Sequence, residues 1–426
     1  MSITNSLYIG LSGLDAHSDA IGIVGDNIAN ASTIGFKSER ATFSDLLGGQ
    51  LGASRLGGGV MLGGQQTMWT QGAINQTGNP YDMAINGNGM FVVSGSHDGV
   101  PGNYYTRDGQ FQMDNQGYVV DQSGMRLQGY TIDSNGVQSK TLGDLAIGAR
   151  QSPAVATTSA KLSVNLDSGS AVSPAWDPAN PSGTSAYSTS ETVYDSLGAA
   201  HHVDVYFNNA GGGNWTYHAM VDGGELTGGT AGTPTEIASG TLTFNANGAL
   251  QAQASTTSSA SFINAAPNQA INFSFGDDIA SGGTGLVGST QMSGTSAVSG
   301  VDVDGHGAGT LTGISVDPDG TIEGSYDNGD KRAIAKVALA TVANEEGLVR
   351  VGDGLYQQSA ESGAPVVDAA GTGGRGSISG GALEASNVDL GNELVTLIQY
   401  QRAFEANSKT ITTADEMMQD VTNLVR

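Results

Sequence analysis

Apolar residues recur every seven positions at both ends of this chain and every two positions between them. At the N-terminus Leu7, Leu14, Ile21 and Ile28 form the series, flanked by Ile3, Leu11 and Val24. That spacing predicts an amphipathic helix. The helix gives way to "NIANASTIGFKSERATF" (27–43), where Asn30, Ala31, Ser32, Thr33, Ile34 and Gly35 all disfavour its continuation. Gly35 is suited to a positive φ at the break, and Phe36, Ala41 and Phe43 are candidate anchors for the departing chain. At the C-terminus the series is longer: Leu383, Leu390, Leu397, Phe404, Ile411, Met418 and Val425. Asn387 marks a candidate N-cap region, and Asp389 and Glu393 suit the start of a helix. Residues 388–425 predict a helix about 57 Å long. Its second seam reads Leu394, Gln401, Ser408, Asp415 and Thr422, mostly polar, unlike a simple two-stranded coiled coil. So narrow a stripe buries too little surface to offset the ordering of a long helix. Both terminal helices are therefore expected to become ordered by packing on each other and on neighbouring subunits.

The interior alternates with period two between turn signals. "MAINGNGMFVVSG" (83–95) and "YYTRDGQFQMDNQGYVVDQSGMRLQGY" (104–130) have turn candidates at Asp108-Gly109, Asn115-Gln116-Gly117 and Ser123-Gly124. The region from Leu311 to Val367 adds Asp319-Gly320, Asn328-Gly329 and Asp353-Gly354. This is hairpin and meander spacing. Between them, 191–221 reads as a hairpin, followed by Gly/Thr/Ser-rich stretches that read as loops and edge strands. The expected fold is multidomain α+β. Residues 1–30 and 385–426 form a coiled-coil-like helical core domain, and 31–80 a linker region. Residues 81–150 and 301–384 form an inner β domain, with an outer β domain, 151–300, inserted into it.

Composition narrows the chemistry. At 426 residues the chain is long enough for two to four domains. It contains no cysteine, which excludes disulfides and thiolate metal sites. No apolar run reaches eighteen residues, and no basic n-region precedes an apolar h-region, so neither a membrane span nor an ordinary secretory signal is expected. With 41 acidic against 16 basic residues, the net charge of −25 repels nucleic acid and anionic lipid. The six histidines lie apart except for His201-His202, which strand geometry points to opposite faces. The glycine run at 57–64 lacks the Lys-Ser/Thr ending of a phosphate loop. No catalytic residue, cofactor or metal is expected, and the protein reads as a non-enzyme. The paired aspartates in "VDVDGHGAG" (301–309) and "SVDPDGTIEG" (315–324) read as turn residues. As calcium ligands they would instead make the chain a secreted calcium-binding β-domain adhesin.

The two ends carry a more specific pattern. "GLSGLDAHSDAIGIVGDNIANASTIGFKSERATF" (10–43) resembles the N-terminal signature of the flagellar rod, hook and hook-associated axial proteins: a helix closing in Asn-Ile-Ala-Asn, then Thr-Xaa-Gly-Phe-Lys. Asn27, Asn30, Thr33, Gly35, Phe36 and Lys37 carry that element. "GALEASNVDLGNELVTLIQYQRAFEANSKTITTADEMMQ" (381–419) is similar to the C-terminal signature of the same family. In the middle, "ETVYDSLGAAHHVDVYF" with "NWTYHAMV" resembles the outer domain of hook-type members, and 324–356 their inner β domain. The likeness is weakest across 225–300. It implies a structural subunit that self-assembles into the flexible curved tube of the hook, a universal joint passing torque from rod to filament. A distal rod or other axial subunit is the alternative within the family. Implied partners are further copies in a helical homopolymer, a distal rod protein, a hook cap protein, a hook–filament junction protein and the flagellar type III export apparatus. Nucleic acid and membrane insertion are not implied. The implied location is the extracellular hook segment of the basal body–hook complex. Leu7, Leu14, Ile21, Ile28, Leu390, Leu397, Phe404, Ile411 and Met418 are the residues expected to pack the polymer core.

Overall fold

The computed structural model describes residues 3–51, 54–133, 136–148 and 151–424, so Val425 lies outside the described residues. The architecture is α+β, mostly β with one long helix near each end. Two compact units divide the chain. The first comprises Met1–Ala149, Gly313–Ser325 and Lys331–Arg426, and the second Arg150–Thr312 with Tyr326–Asp330.

In the first unit the N-terminal helix Ile3–Ala29 and the C-terminal helix Leu390–Leu424 run antiparallel, side by side. Small residues set their closeness. A Cβ placed on Gly10 would lie 2.9 Å from Ile411, and one on Gly13 would lie 2.7 Å from Asn407. Ala16, Ala20, Ile23 and Val24 continue the buried side of the N-terminal helix. The C-terminal helix is capped by Asp389, whose Oδ1 accepts from the backbone N–H of Gly391 (2.9 Å) and Asn392 (3.2 Å). The cap is therefore two residues beyond Asn387, where the sequence placed its candidate region.

Part of the stretch expected as a linker is a long hairpin, Glu39–Leu51 paired antiparallel with Ser54–Thr67. It lies along the N-terminal helix, with the Val60 N–H donating to Ser12 Oγ at 3.2 Å. Glycines inside "LLGGQL" and "RLGGGVMLGG" blunt the alternation that marks a strand, which is why the sequence hides it.

The remainder of this unit is built on a mixed-length sheet. Its strands follow the order Leu311–Val316, Thr321–Tyr326, Lys331–Thr341, Arg126–Thr131, Met90–His97, Val100–Thr106, Leu355–Gln357 and Val349–Gly352. Met90, Val92, Tyr105, Ala340 and Tyr356 form one core cluster, with Trp69 packed against it. The turn at Asp114–Gly117 shows how the acidic turn residues work. Asp114 Oδ1 accepts from the N–H of both Gln116 and Tyr118 (2.8 Å each), while Gly117 takes φ 84°. Asp108-Gly109 is not a hairpin turn. Gly109 instead lies against Met83, whose N–H donates to the Gly109 carbonyl at 3.0 Å, and a Cβ there would sit 1.6 Å from the Met83 oxygen.

The second unit packs a six-stranded antiparallel meander and a three-stranded sheet around one apolar core. The meander runs Tyr187–Tyr194, Ala200–Gly211, Asn214–Asp222, Pro234–Phe244, Leu250–Ala260 and Gln269–Ala270. The smaller sheet joins Asn272–Ser274, Ser159–Asn165 and Ala297–Val303. Leu162, Val164, Val205, Phe207, Trp215, Tyr217 and Phe275 fill the space between. Pro234–Phe244, in the region expected as loops and edge strands, is an interior strand paired on both sides. Its Thr and Ser residues alternate with buried Ile237, Leu242 and Phe244, so a polar composition conceals a half-buried strand. His201 and His202 do face opposite ways, the first buried against Phe262 and the second exposed beside Thr192. The paired aspartates serve turns and ties: Asp304 accepts from Thr158 and Ser159, and Asp319 pairs with Lys336 at 2.7 Å. Among the described residues, no helix is long and apolar enough to cross a membrane.

Candidate functional site

The N-terminal helix stops at Ala29, and the residues after it build a joint. Asn30 closes the last turn, its N–H and its side-chain amide both donating to the Asp26 carbonyl (3.0 and 2.9 Å). Thr33 Oγ1 donates to Asn30 Oδ1 at 3.0 Å. Gly35 then takes φ 68°, and its N–H donates to the Glu384 carbonyl at 2.8 Å. A Cβ here would stand 2.6 Å from the backbone of Arg107 and Asp108, so only glycine lets the chain pass. Phe36 is buried under the Arg350 guanidinium, 4.8 Å from its ring centre. The same guanidinium reaches Asp26 (3.1 Å) and Glu39 (3.5 Å).

Lys37 occupies the deepest position. Its Nζ lies 2.6 Å from Glu384 Oε1 and donates to the Thr70 carbonyl at 2.9 Å. Glu384 is fully buried and also accepts from Arg107 Nη1 (3.2 Å) and from the Gly72 N–H (2.9 Å). Burial pulls the Lys37 ammonium below the ordinary lysine range, while its bond to Glu384 pushes the other way. Two asparagines complete the joint. The Asn27 side chain exchanges both hydrogen bonds with the Glu39 backbone (2.7 and 2.9 Å), as a neighbouring strand would. Asn387 accepts from the Ser38 N–H (2.7 Å) and donates to the Met68 carbonyl (2.7 Å). A groove of about 760 Å³ runs beneath the break, between Ser32–Phe36 and the turns at Asp121–Ser123 and Asp353–Leu355.

The fold thus ties Gly35 and Lys37 to Glu384, with Arg107 on the same carboxylate, and Phe36 to Arg350, while Asn30 and Thr33 close the helix end and Asn27 holds Glu39. Glu384, Arg107 and Arg350 were missed in the sequence. Lys37 stands just before Ser38, Glu39 and Arg40, so nothing in its neighbourhood signals that its ammonium is buried and requires a distant counter-ion.

The nine stripe residues are placed differently. Leu7, Leu14, Ile21, Ile28, Leu397, Phe404 and Ile411 are half-buried, whereas Leu390 and Met418 are exposed. Other large apolar side chains stand in solvent on the same helices: Tyr8, Leu11, Leu394, Val395, Ile398 and Val421. Phe43, from the hairpin, packs against His17 and Tyr400 at 5.3 and 5.9 Å between ring centres.

Comparison with known proteins places these features in a family. Four family models match in succession: flagella basal body rod protein over residues 7–37, flagellar hook protein FlgE/F/G D1 domain over 84–165, flagellar basal body protein FlaE D2 domain over 165–306, and flagellar basal body rod FlgEFG protein C-terminal over 379–424. The flagellar hook protein FlgE of Escherichia coli K12 is 34% identical, covering 97% of this chain and 98% of that protein. The Salmonella typhimurium protein of the same name is 33% identical over the same shares. That of Brucella suis is 31% identical over the full length of both. The crystal structure of the Helicobacter pylori flagellar hook protein FlgE2 superposes with a TM-score of 0.48 at 15% identity, covering 73% of this chain and 100% of that one. With relatives above 30% identity along almost its entire length, the chain belongs to the flagellar hook protein family.

Proposed function

We propose that this chain is the structural subunit of a bacterial flagellar hook, polymerising into a flexible curved tube that transmits torque. The observation that carries this is the apolar surface left on both terminal helices. They already pack on each other, yet Tyr8 is 71% exposed and Leu394 50% exposed. Apolar residues left on the outer side of a helix pair mark a surface for further contacts, which neighbouring copies of the same helices would supply. Residues 1–30 and 385–426 would form the coiled-coil-like inner tube, the nine stripe residues contributing to its packing. The β domain of 81–150 and 301–384 would surround that tube, with 151–300 as an inserted outer domain. The joint at Asn27–Lys37 would hold the stiff core to the outer domains. Distal rod, cap and junction proteins would meet the two ends of the tube, and the chain would pass through the flagellar type III export apparatus with its terminal helices not yet ordered.

Electron microscopy of the purified chain after incubation at high concentration tests this, with short curved tubes expected. Phe404→Asp should give no tubes, while circular dichroism shows the β domains still folded. Tubes of normal appearance from that variant would remove the helices from the polymer core.

A further inference from the structure

Four Asn-Gly pairs lie within the described residues: Asn86-Gly87, Asn88-Gly89, Asn247-Gly248 and Asn328-Gly329. Asparagine is a thermolabile residue, and most so before glycine. The glycine nitrogen can attack the asparagine side-chain carbonyl, and a glycine has no Cβ to obstruct the approach. Two groups must be free for this: the asparagine side-chain amide and the backbone N–H that follows it.

At three of the pairs the fold withholds one or both. The Asn328 side chain is held at both its atoms. Nδ2 donates to the Gly307 carbonyl (2.8 Å) and lies 3.0 Å from His306 Nδ1, while Oδ1 accepts from the Asp330 N–H at 3.0 Å. The Gly329 N–H is taken as well, by the Tyr326 carbonyl at 3.1 Å. The Gly248 N–H donates to the Asn245 carbonyl (2.9 Å) and the Gly87 N–H to Gln71 Oε1 (3.0 Å). Asn88 differs. It is exposed, and among the described residues neither its side chain nor the Gly89 N–H has a hydrogen-bond partner.

The main chain around Asn88 is fastened on both sides. The Gly87 carbonyl accepts from Arg107 Nη2 at 2.8 Å, and the Asn88 carbonyl from the Gly376 N–H at 2.7 Å. Arg107 is the guanidinium whose Nη1 holds the buried Glu384. The fit is close, since a Cβ on Gly87 would lie 3.1 Å from the Gly376 Cα.

We propose that Asn88-Gly89 is a site of spontaneous covalent modification whose product loosens the Arg107 end of the buried ion cluster. The Gly89 nitrogen bonds to Asn88 Cγ, its proton leaves with the side-chain nitrogen as ammonia, and a succinimide ring closes. Water then opens the ring. Cleaving the new bond gives aspartate. Cleaving the old peptide bond gives isoaspartate, which carries the main chain through Cγ and lengthens it by one carbon. A lengthened chain shifts the two fastened carbonyls relative to each other, so Arg107 and Gly376 cannot both keep their acceptors.

Ageing the purified full chain in mildly alkaline buffer tests this. Peptide mapping by mass spectrometry should find acid accumulating at 88 ahead of 86 and 247, with the amide of Asn328 retained. An isoaspartyl methyltransferase should label the peptide containing residue 88, and Asn88→Gln should abolish that labelling. An intact amide at 88, or loss at 328 as fast as at 88, overturns the site. Thermal unfolding reads the consequence. The aged chain should show the first unit's transition shifted down and the second unit's unchanged. Aged Asn88→Gln and fresh Asn88→Asp, which adds the charge without the extra chain atom, should keep the original transition. Isoaspartate at 88 without a shift, or a downward shift in fresh Asn88→Asp, overturns the consequence.

Discussion

Two buried carboxylates separate the two units of this protein. Glu384 has Lys37, Arg107 and the Gly72 N–H around it. Glu191, on the first strand of the second unit's meander, is 5% exposed, and neither of its oxygens has a partner among the described residues. Isolation from water pushes Glu191 up from 4.5 to about 7. The difference shows two ways of holding a fold. The first unit spends buried charge to fix the chain path where residues 37, 70–72, 107 and 384 converge. The second relies on a closed apolar core that tolerates one unsupported acid.

Removing the central carboxylate should have the largest effect. Glu384→Ala leaves two buried cations without their counter-ion and should destabilise the first unit by about 3–5 kcal/mol. Thermal unfolding would show that unit's transition shifting down and the other staying in place. Equal shifts in both would break the comparison. Gly35→Val should follow, at about 3 kcal/mol. A β-branched residue at φ 68° is strained, and its Cβ strikes the Arg107 backbone. Faster hydrogen exchange around Phe36 and Lys37 is the expected signature, with the second unit unaffected.

Glu191→Gln should act in the opposite sense, stabilising the second unit by roughly 2–3 kcal/mol at pH 8. Between pH 4.5 and about 7 the folded unit keeps the Glu191 proton that the unfolded chain has lost. Its stability therefore falls as pH rises through that window and levels off above it. The variant should lack that slope in urea titrations at several pH values. Smallest is Asp389→Ala, which should cost about 1 kcal/mol by removing the helix cap. Its effect should be confined to exchange in the first turn of the C-terminal helix, whereas Asn387→Ala should loosen Ser38 and Met68.

What the sequence disclosed follows the physics of each element. Seven-residue spacing located both helices because one side of each is apolar, and Asp/Asn-Gly pairs located most turns because a positive φ is needed there. The hairpin at 39–67 was illegible because its glycines carry no side chains to alternate. Pro234–Phe244 was obscured by threonine and serine on its wet face. At the joint, Gly35 and Lys37 stood out in a short motif, but Glu384 did not. A buried ion pair leaves no local trace when its partner lies hundreds of residues away. Asn387 misled for a related reason: an asparagine shortly before a helix looks like a cap, and only the fold shows its amide tied to Ser38 and Met68.

The Lys37–Glu384 pair also dictates an order of events. Its members are 347 residues apart in the chain. Closing so long a loop is entropically unfavourable, and the contact does not exist until the second partner is available. A chain emerging N-terminus first must wait for almost all of itself to appear before Lys37 meets its counter-ion. The pair is thus a record that both ends have arrived, and the joint is among the last parts of the molecule to form.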